Sequence, residues 1–259
     1  MTRETYDTAY FHRLARIEDE HFWFRFRNGV IARLMRQIVA GREPDCRVLE
    51  VGCGNGNALR HLQAACPDAR VLGMDPFWEG LRLARQRAGC SLVLADIQNP
   101  PFRECFAAVG LFDVLEHLPD DRLVLKNVGA LLVGGGTLFL TVPAHMCLWS
   151  YFDEASHHRR RYSREQLRTL LHDGGFQIEY LTEFMFVLFP LAWIVRRLSA
   201  FVFRRKKQAD AKELSMRELR VVPVWNGILG ALLGAELPLI ARRLRIPLGS
   251  SLLAIARKP

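Results

Sequence analysis

Short apolar runs, bounded by Gly, Pro, Asp or Asn, alternate with amphipathic stretches from residue 46 to about residue 180. The runs RVLEV (47–51), RVLGM (70–74), SLVLA (91–95), FAAVGLF (106–112) and TLFLTV (137–142) predict buried strands, being rich in the aliphatic and aromatic residues that fill a pleated core surface. Helical periodicity lies between them, at 57–65, 78–88, 120–132 and 163–173. Strands alternating with helices predict a parallel sheet with helices on both faces. Gly134-Gly135-Gly136 is expected to be a helix-to-strand turn, and Gly174-Gly175 to end a helix before a strand near 176–183. The segment SSLLAIAR (250–257) predicts the final strand.

Two stretches fall outside this alternation. Residues 10–40 predict a helical arm carrying the aromatic cluster His21-Phe22-Trp23-Phe24. The connection between the last two strands is far longer than the usual few residues and is strongly apolar. Its first part, FMFVLFPLAWIVRRLSAFVF (184–203), is interrupted by Pro190 and Arg196-Arg197; its last, VVPVWNGILGALLGAELPLIARRL (221–244), carries a Gly230-x-x-x-Gly234 spacing. The expected organisation is therefore an arm (1–45), a core (46–185), a helical insertion (186–249) and a returning strand (250–259).

Composition narrows the class. A chain of 259 residues with 50% apolar residues can bury one large α/β core. Its six cysteines are scattered without C-x-x-C pairs or zinc spacing, so neither a metal site nor a disulfide framework is expected, and a reducing cytoplasm fits. The first twenty residues carry charges throughout and no apolar h-region, which argues against a secretory signal. The net charge of +9 is uneven: residues 186–259 hold 14 of the 36 Lys and Arg but 4 of the 27 Asp and Glu. A basic third that is also apolar suits an anionic membrane better than a phosphate groove, and nucleic acid is not an expected partner.

The run VLEVGCGNGNALRHL (48–62) reads as strand, glycine loop and helix, the order that lets a nucleotide-like ligand approach a helix N-terminus. A dinucleotide loop would be G-x-G-x-x-G/A, but Asn57 stands at the third position, and Glu50 precedes the first glycine by two residues. That carboxylate repels a pyrophosphate and attracts an ammonium or sulfonium. Asp75 ends the second strand, where a carboxylate can accept two ribose hydroxyls, and Asp96-Ile97 ends the third, where an acid and an apolar neighbour suit an adenine.

VLEVGCGNG, GMDP, ADIQNPPF, FDVLEHL and GGGTLFLTVP together resemble the successive motifs of the class I S-adenosylmethionine (SAM)-dependent methyltransferases, across residues 47–143. The resemblance implies a Rossmann-like, seven-stranded, mostly parallel sheet with an antiparallel last strand, and SAM as cofactor with S-adenosylhomocysteine as product. It implies that Glu50, Gly52, Cys53, Gly54 and Gly56 form the methionine-side loop, that Asp75 with Pro76 holds the ribose, and that Asp96 with Ile97 holds the adenine. It places Phe112 at the methionine moiety. His117 belongs to the same DVLEHL motif, with capping of the following turn as its other reading, and Trp23 with Arg27 either close over the cofactor or form a packed arm with an exposed arginine. Ala107 stands where related sequences often carry aspartate, at a position without a main cofactor contact. Asn99-Pro100-Pro101-Phe102 resembles an amino-methyltransferase motif but follows the third strand rather than the fourth, and is expected to be a connecting loop.

Methyl transfer from a sulfonium needs alignment above all, and a hydroxyl acceptor additionally needs a base. The loop VPAHMCLWSYFDEASHHRRRYS (142–163) follows the fifth strand at the ligand-binding edge. It supplies His157 and His145 as candidate bases, and Asp153, His158, Arg160 and Tyr162 as candidate acceptor contacts. Its W-S-x-x-D-E-x-x-x-H-x-R-R-Y pattern and the N-terminal H-F-W-F-x-x-R resemble a bacterial methyltransferase subgroup. The insertion has two readings: an in-plane attachment to the inner face of an anionic membrane, or a buried cap or dimer interface in a soluble enzyme for small molecules. Two spanning helices would put the Arg/Lys-rich connection across the membrane from the catalytic core, against the positive-inside tendency. The favoured expectation is O-methylation of a hydrophobic or lipid-linked acceptor; a non-catalytic SAM-binding membrane tether is the alternative from another class.

Overall fold

A computed structural model describes residue 15, residues 17–203 and residues 222–259, with the backbone alone for 197–203. The seven strands are β1 (Arg47–Val51), β2 (Arg70–Asp75), β3 (Ser91–Leu94), β4 (Phe106–Phe112), β5 (Leu132–Pro143), β6 (Gln177–Phe184) and β7 (Ser251–Arg257). They form one sheet in the order β3-β2-β1-β4-β5-β7-β6. Neighbours are parallel from β3 through β5, and β7 runs antiparallel to both β5 and β6. Strand order reverses direction between β1 and β4, and the crevice at the carboxyl ends of those two strands is where an open α/β sheet receives its ligand. The Rossmann-like architecture with a reversed last strand thus matches the expectation.

The glycine run is the exception. Gly134–Gly136 lie inside β5, not before it, as an irregularity in its pairing with β4: Phe106 faces Leu132, but Ala108 faces Thr137. Gly135 adopts φ +69 against the Arg257 guanidinium, and the backbone of Gly135 and Gly136 pairs with Lys258. A bulge of this kind keeps the hydrogen-bond ladder running to the end of β7 while absorbing extra residues.

Helices cover both faces. On one lie α1 (Phe22–Val39), α2 (Asn57–Ala65) and α3 (Trp78–Arg87); on the other, α4 (Asp121–Leu131) and α6 (Arg164–Asp173), with the short α5 (Tyr151–Ala155) in the loop after β5. Of the expected N-terminal arm, residues 1–14 and 16 lie outside the described residues, and α1 is a component of the core: its Val30, Ile31, Leu34 and Met35 are wholly buried with β1, β4 and β7. His21 caps α1, its Nδ1 accepting from the Trp23 amide.

Between β6 and β7 the described insertion comprises α7 (Leu188–Phe203), α8 (Pro223–Gly234) and α9 (Leu237–Ala241); the basic connection at 204–221 lies outside the described residues. The Asn226 carboxamide accepts from the Phe22 amide at 2.7 Å and donates to the Glu20 carbonyl at 2.9 Å. Glu236 accepts from the Met185 and Phe186 amides at 2.7 and 2.8 Å, while Leu233 and Ile240 are buried. The opposite side of α8 is bare, with Val224 68% and Trp225 63% exposed.

Candidate active site

The loop after β1 is shaped by left-handed glycines. Gly52 has φ +70, and a Cβ there would lie 2.5 Å from Val114 Cγ2; Gly56, with φ +80, precedes α2 where a Cβ would come within 2.9 Å of the Ala84 backbone. Side chains are excluded at both, so the backbone can close tightly under a ligand. Asp75, buried at the end of β2, braces the loop by accepting from the Gly54 amide at 2.8 Å and the Phe77 amide at 2.9 Å. Burial pushes its carboxyl up to about 6 against those two hydrogen bonds.

Glu50 is the electrostatic centre of this loop. Only 3% exposed, it has an Oε2 with no hydrogen-bond partner. Burial pushes its pKa up to about 8; Arg27 pulls it down, and Asp75 and Glu18 push it further up. An unpaired buried carboxyl is costly to ionise unless a cation arrives. The α-ammonium and sulfonium of SAM supply that charge, whereas the pyrophosphate of a dinucleotide opposes it. The donor set therefore fits SAM.

Two cavities meet at this loop, sharing Gly52, Gly54, Asp113 and His117. The smaller, about 450 Å³, is lined by Asp75, Pro76, Asp96, Ile97 and Leu118, which suits an adenosine. Asp96 binds its own turn, accepting from the Gln98 amide at 2.9 Å. The larger, about 600 Å³, is lined by Trp23, Arg27, Glu50, Cys53 and Phe112 on the loop side. There the Arg27 guanidinium pairs with Asp113 at 2.6 Å and lies 5.2 Å from the Trp23 ring centre, which fastens α1 to the end of β4. Asp113 itself sits at φ +57, its amide donating to the Thr141 carbonyl.

The loop after β5 supplies the far wall of the larger cavity. Asp153, wholly buried, accepts from His158 Nδ1 at 2.9 Å, from Arg161 Nε at 2.7 Å and from the Ser150 amide at 2.9 Å. Burial pushes its carboxyl up, but the His158 and Arg161 bonds outweigh that and hold it below the usual range. His158 and Arg161, so oriented, line the cavity with Glu116 and His117. Burial pushes His117 down to about 3, with His158 adding to the effect, so its imidazole is neutral.

Other expected residues stand elsewhere. His145, Asp153, His157, Arg160, Tyr162 and Gly56 line neither cavity, Asp153 standing behind His158 and Arg161. His145 Nε2 meets Glu183 Oε2 at 2.7 Å, and that same oxygen accepts from the Gly249 amide at 2.8 Å, a junction between β6 and β7. Arg160 pairs with Asp121 at 2.8 Å and donates to the Leu118 and Pro119 carbonyls, while the Tyr162 hydroxyl donates to the same Asp121 at 3.0 Å. His157, at φ +57, turns the chain beside His158. Sequence reasoning passed over Asp113, Glu116 and Arg161 as site residues. FDVLEHL and the HHRRRY run contained them, but the signal distinguishing Arg161 from Arg160 is which one packs inward.

Comparison with known proteins agrees with this geometry. A family model described as a methyltransferase domain matches residues 23–181, more than half of the chain. A probable SAM-dependent methyltransferase of Mycobacterium tuberculosis is 27% identical over 164 residues, 62% of this chain and 57% of that protein. A ubiquinone biosynthesis O-methyltransferase of Xanthomonas campestris is 34% identical over 105 residues, 38% of this chain and 43% of that one. The matches thus span about half the length of these relatives. Among solved structures, a methyltransferase in complex with the Haloferax volcanii Trm112 activator superposes with a TM-score of 0.61 at 18% identity, covering 97% of both chains. Haemonchus contortus phosphoethanolamine N-methyltransferase 2, solved with SAM, gives a TM-score of 0.61 at 21% identity over 99% of this chain and 58% of that one. With its domain match, its reversed seventh strand and a carboxylate-ringed crevice suited to a sulfonium nucleoside, the chain belongs to the class I SAM-dependent methyltransferases.

Proposed function

We propose that this protein methylates an oxygen of a hydrophobic or lipid-linked acceptor at the inner face of an anionic membrane. The observation that carries the proposal is the make-up of the larger cavity, whose outer wall is built by Leu188, Leu191, Ala192 and Val195 of α7 and Leu229 of α8. These same helices present Trp193, Ile194, Val224, Trp225, Ile228 and Leu232, none of which lines the cavity, to the outside. An apolar acceptor can pass from a lipid phase into the cavity without its tail entering water, and an exposed patch of this kind is unusual on a freely soluble monomer.

When bound, SAM supplies an electrophilic methyl group on a sulfonium. The chain's own residues do the rest: Glu50 and Asp75 fix the donor's orientation, α1 closes one side through Trp23 and Arg27, and Glu116, His117, His158 and Arg161 offer the acceptor's head a polar floor. Holding the reacting atoms in line is the larger part of the catalysis. Among the relatives, the ubiquinone biosynthesis O-methyltransferases act, by name, in making a lipid-soluble quinone, which supports the same acceptor class here.

The segment Pro223–Ala241 is long and apolar enough to cross a membrane, yet the geometry favours lying in its plane. Asn226 at one end and Leu233, Glu236 and Ile240 at the other are bonded or buried against the catalytic body, and spanning would tear all of them away. Exposed Arg242, Arg243 and Arg245 follow directly, suited to anionic headgroups at the rim. The test is co-sedimentation with vesicles of phosphatidylcholine and phosphatidylglycerol, followed by transfer of labelled methyl from SAM into a bacterial membrane-lipid extract. Sedimentation that salt weakens, with label in the organic phase, is expected. A protein that stays in the supernatant and labels only water-soluble compounds contradicts the proposal.

A further inference from the structure

The floor of the larger cavity holds a group of side chains that methyl transfer alone does not explain. Glu116 follows β4 in a short 3-10 turn, Leu115–His117, and is wholly buried, yet neither of its carboxylate oxygens has a hydrogen-bond partner. His117 Nδ1 is likewise buried and without a partner. His158 brings its Nε2 to 4.0 Å from Glu116 Oε1, and the two imidazoles meet edge to face with centres 4.7 Å apart. One donor atom from each of the three residues falls within 4.8 Å of the others. The two Glu116 oxygens and His117 Nδ1, buried and unsatisfied together, are expensive, and an ion held between them and His158 removes the cost.

We infer that Glu116, His117 and His158 form a binding site for a single divalent transition-metal ion on the acceptor side of the cavity. Two imidazoles and one carboxylate suit zinc, cobalt, iron or manganese, whereas magnesium and calcium prefer a set made of oxygens. Donor atoms about 2.1 Å from one ion lie roughly 3 to 4 Å apart, so side-chain shifts of about 1 Å close the set. The supporting shell is already in place. Asp153 accepts a hydrogen bond from His158 Nδ1–H, which fixes the tautomer and leaves the Nε2 lone pair free to ligate, and Arg161 holds Asp153 from behind. The Arg159 amide donates to the Glu116 carbonyl at 2.9 Å, clamping the loop after β5 onto the 3-10 turn. Three protein ligands leave open positions facing the cavity, where an oxygen of the acceptor can bind and lose its proton to water more readily. That use of the ion rests on the methylation reading above; the site itself does not.

Cobalt(II) alone, titrated into the purified full-length chain, tests the site through its visible absorption. One equivalent should bind with micromolar affinity or better and give d–d bands without a thiolate charge-transfer band, since no cysteine belongs to the set. Glu116→Gln and His158→Gln should each weaken binding at least about tenfold, while the exposed-surface variant His172→Gln leaves it unchanged and calorimetric SAM uptake by each variant confirms its fold. Absence of cobalt binding, a thiolate band, or binding undiminished in both cavity variants overturns the inference. Because no acceptor is present, a failure of the lipid assay leaves this result untouched, and the reverse holds equally.

Discussion

Glu50 concentrates the conflict between stability and binding. Its folded pKa is raised to about 8 by burial, so below that value the folded chain holds a proton that an exposed carboxylate would release. The stability tied to that proton is fully present near pH 4 and is lost as pH rises through about 8. Glu50→Gln keeps the shape without the charge. It should flatten the fall in melting temperature of the ligand-free protein between pH 6 and 9 while weakening SAM binding about tenfold to a hundredfold, the worth of a charge-assisted hydrogen bond. Scanning fluorimetry and calorimetry read both quantities; parallel pH profiles for the two proteins would show that Glu50 is not the group responsible. For the same reason SAM uptake at pH 7 should release protons, detected as a dependence of the binding heat on the buffer's ionisation enthalpy. Uptake without proton release would mean that Glu50 is already ionised in the free protein.

At the scale of elements, the β1–α2 turn depends on close approach to α3. Gly56→Val forces a branched side chain to φ +80 and to within 2.9 Å of Ala84, and should lower stability by roughly 2–4 kcal/mol. Urea denaturation measures this, and an unchanged midpoint would contradict the packing described. The elements themselves were largely legible in the sequence, because buried parallel strands must be continuous apolar runs and their helices must be amphipathic: β1 and β4 fall at 47–51 and 106–112 as expected. Gly134–Gly136 were misread because a glycine run signals a break in regular backbone but not whether β7 will pair across it, as Lys258 does. The cofactor loop was legible because its chemistry sits on consecutive strand ends. The acceptor side was not, since neighbours such as His157 and His158 or Arg160 and Arg161 differ only in which way a non-repetitive loop turns them. Asp153 decides that by drawing His158 and Arg161 inward, and Asp121 by drawing Arg160 to the other side.

For the whole molecule, the insertion couples two surfaces: one lines the acceptor cavity, the other faces outward. On the proposed reading, replacing Val224 and Trp225 together by aspartate removes membrane affinity without touching the core. Both side chains are largely exposed, and acids in the first turn of α8 also suit its dipole. Binding to anionic vesicles should fall at least about tenfold, the worth of burying one large apolar side chain, while SAM affinity stays the same. Unchanged vesicle binding would move the membrane-facing surface away from α8.

One SAM molecule should span the two cavities, with its reactive end turned toward the chamber walled by α7 and α8. Crystals grown with S-adenosylhomocysteine test it most directly. Adenine should lie beside Asp96 and Ile97, the ribose hydroxyls on Asp75, and the amino-acid end at Glu50 and Arg27. A ligand bound in the opposite direction, or density confined to one cavity with Glu50 still unpartnered, would contradict it.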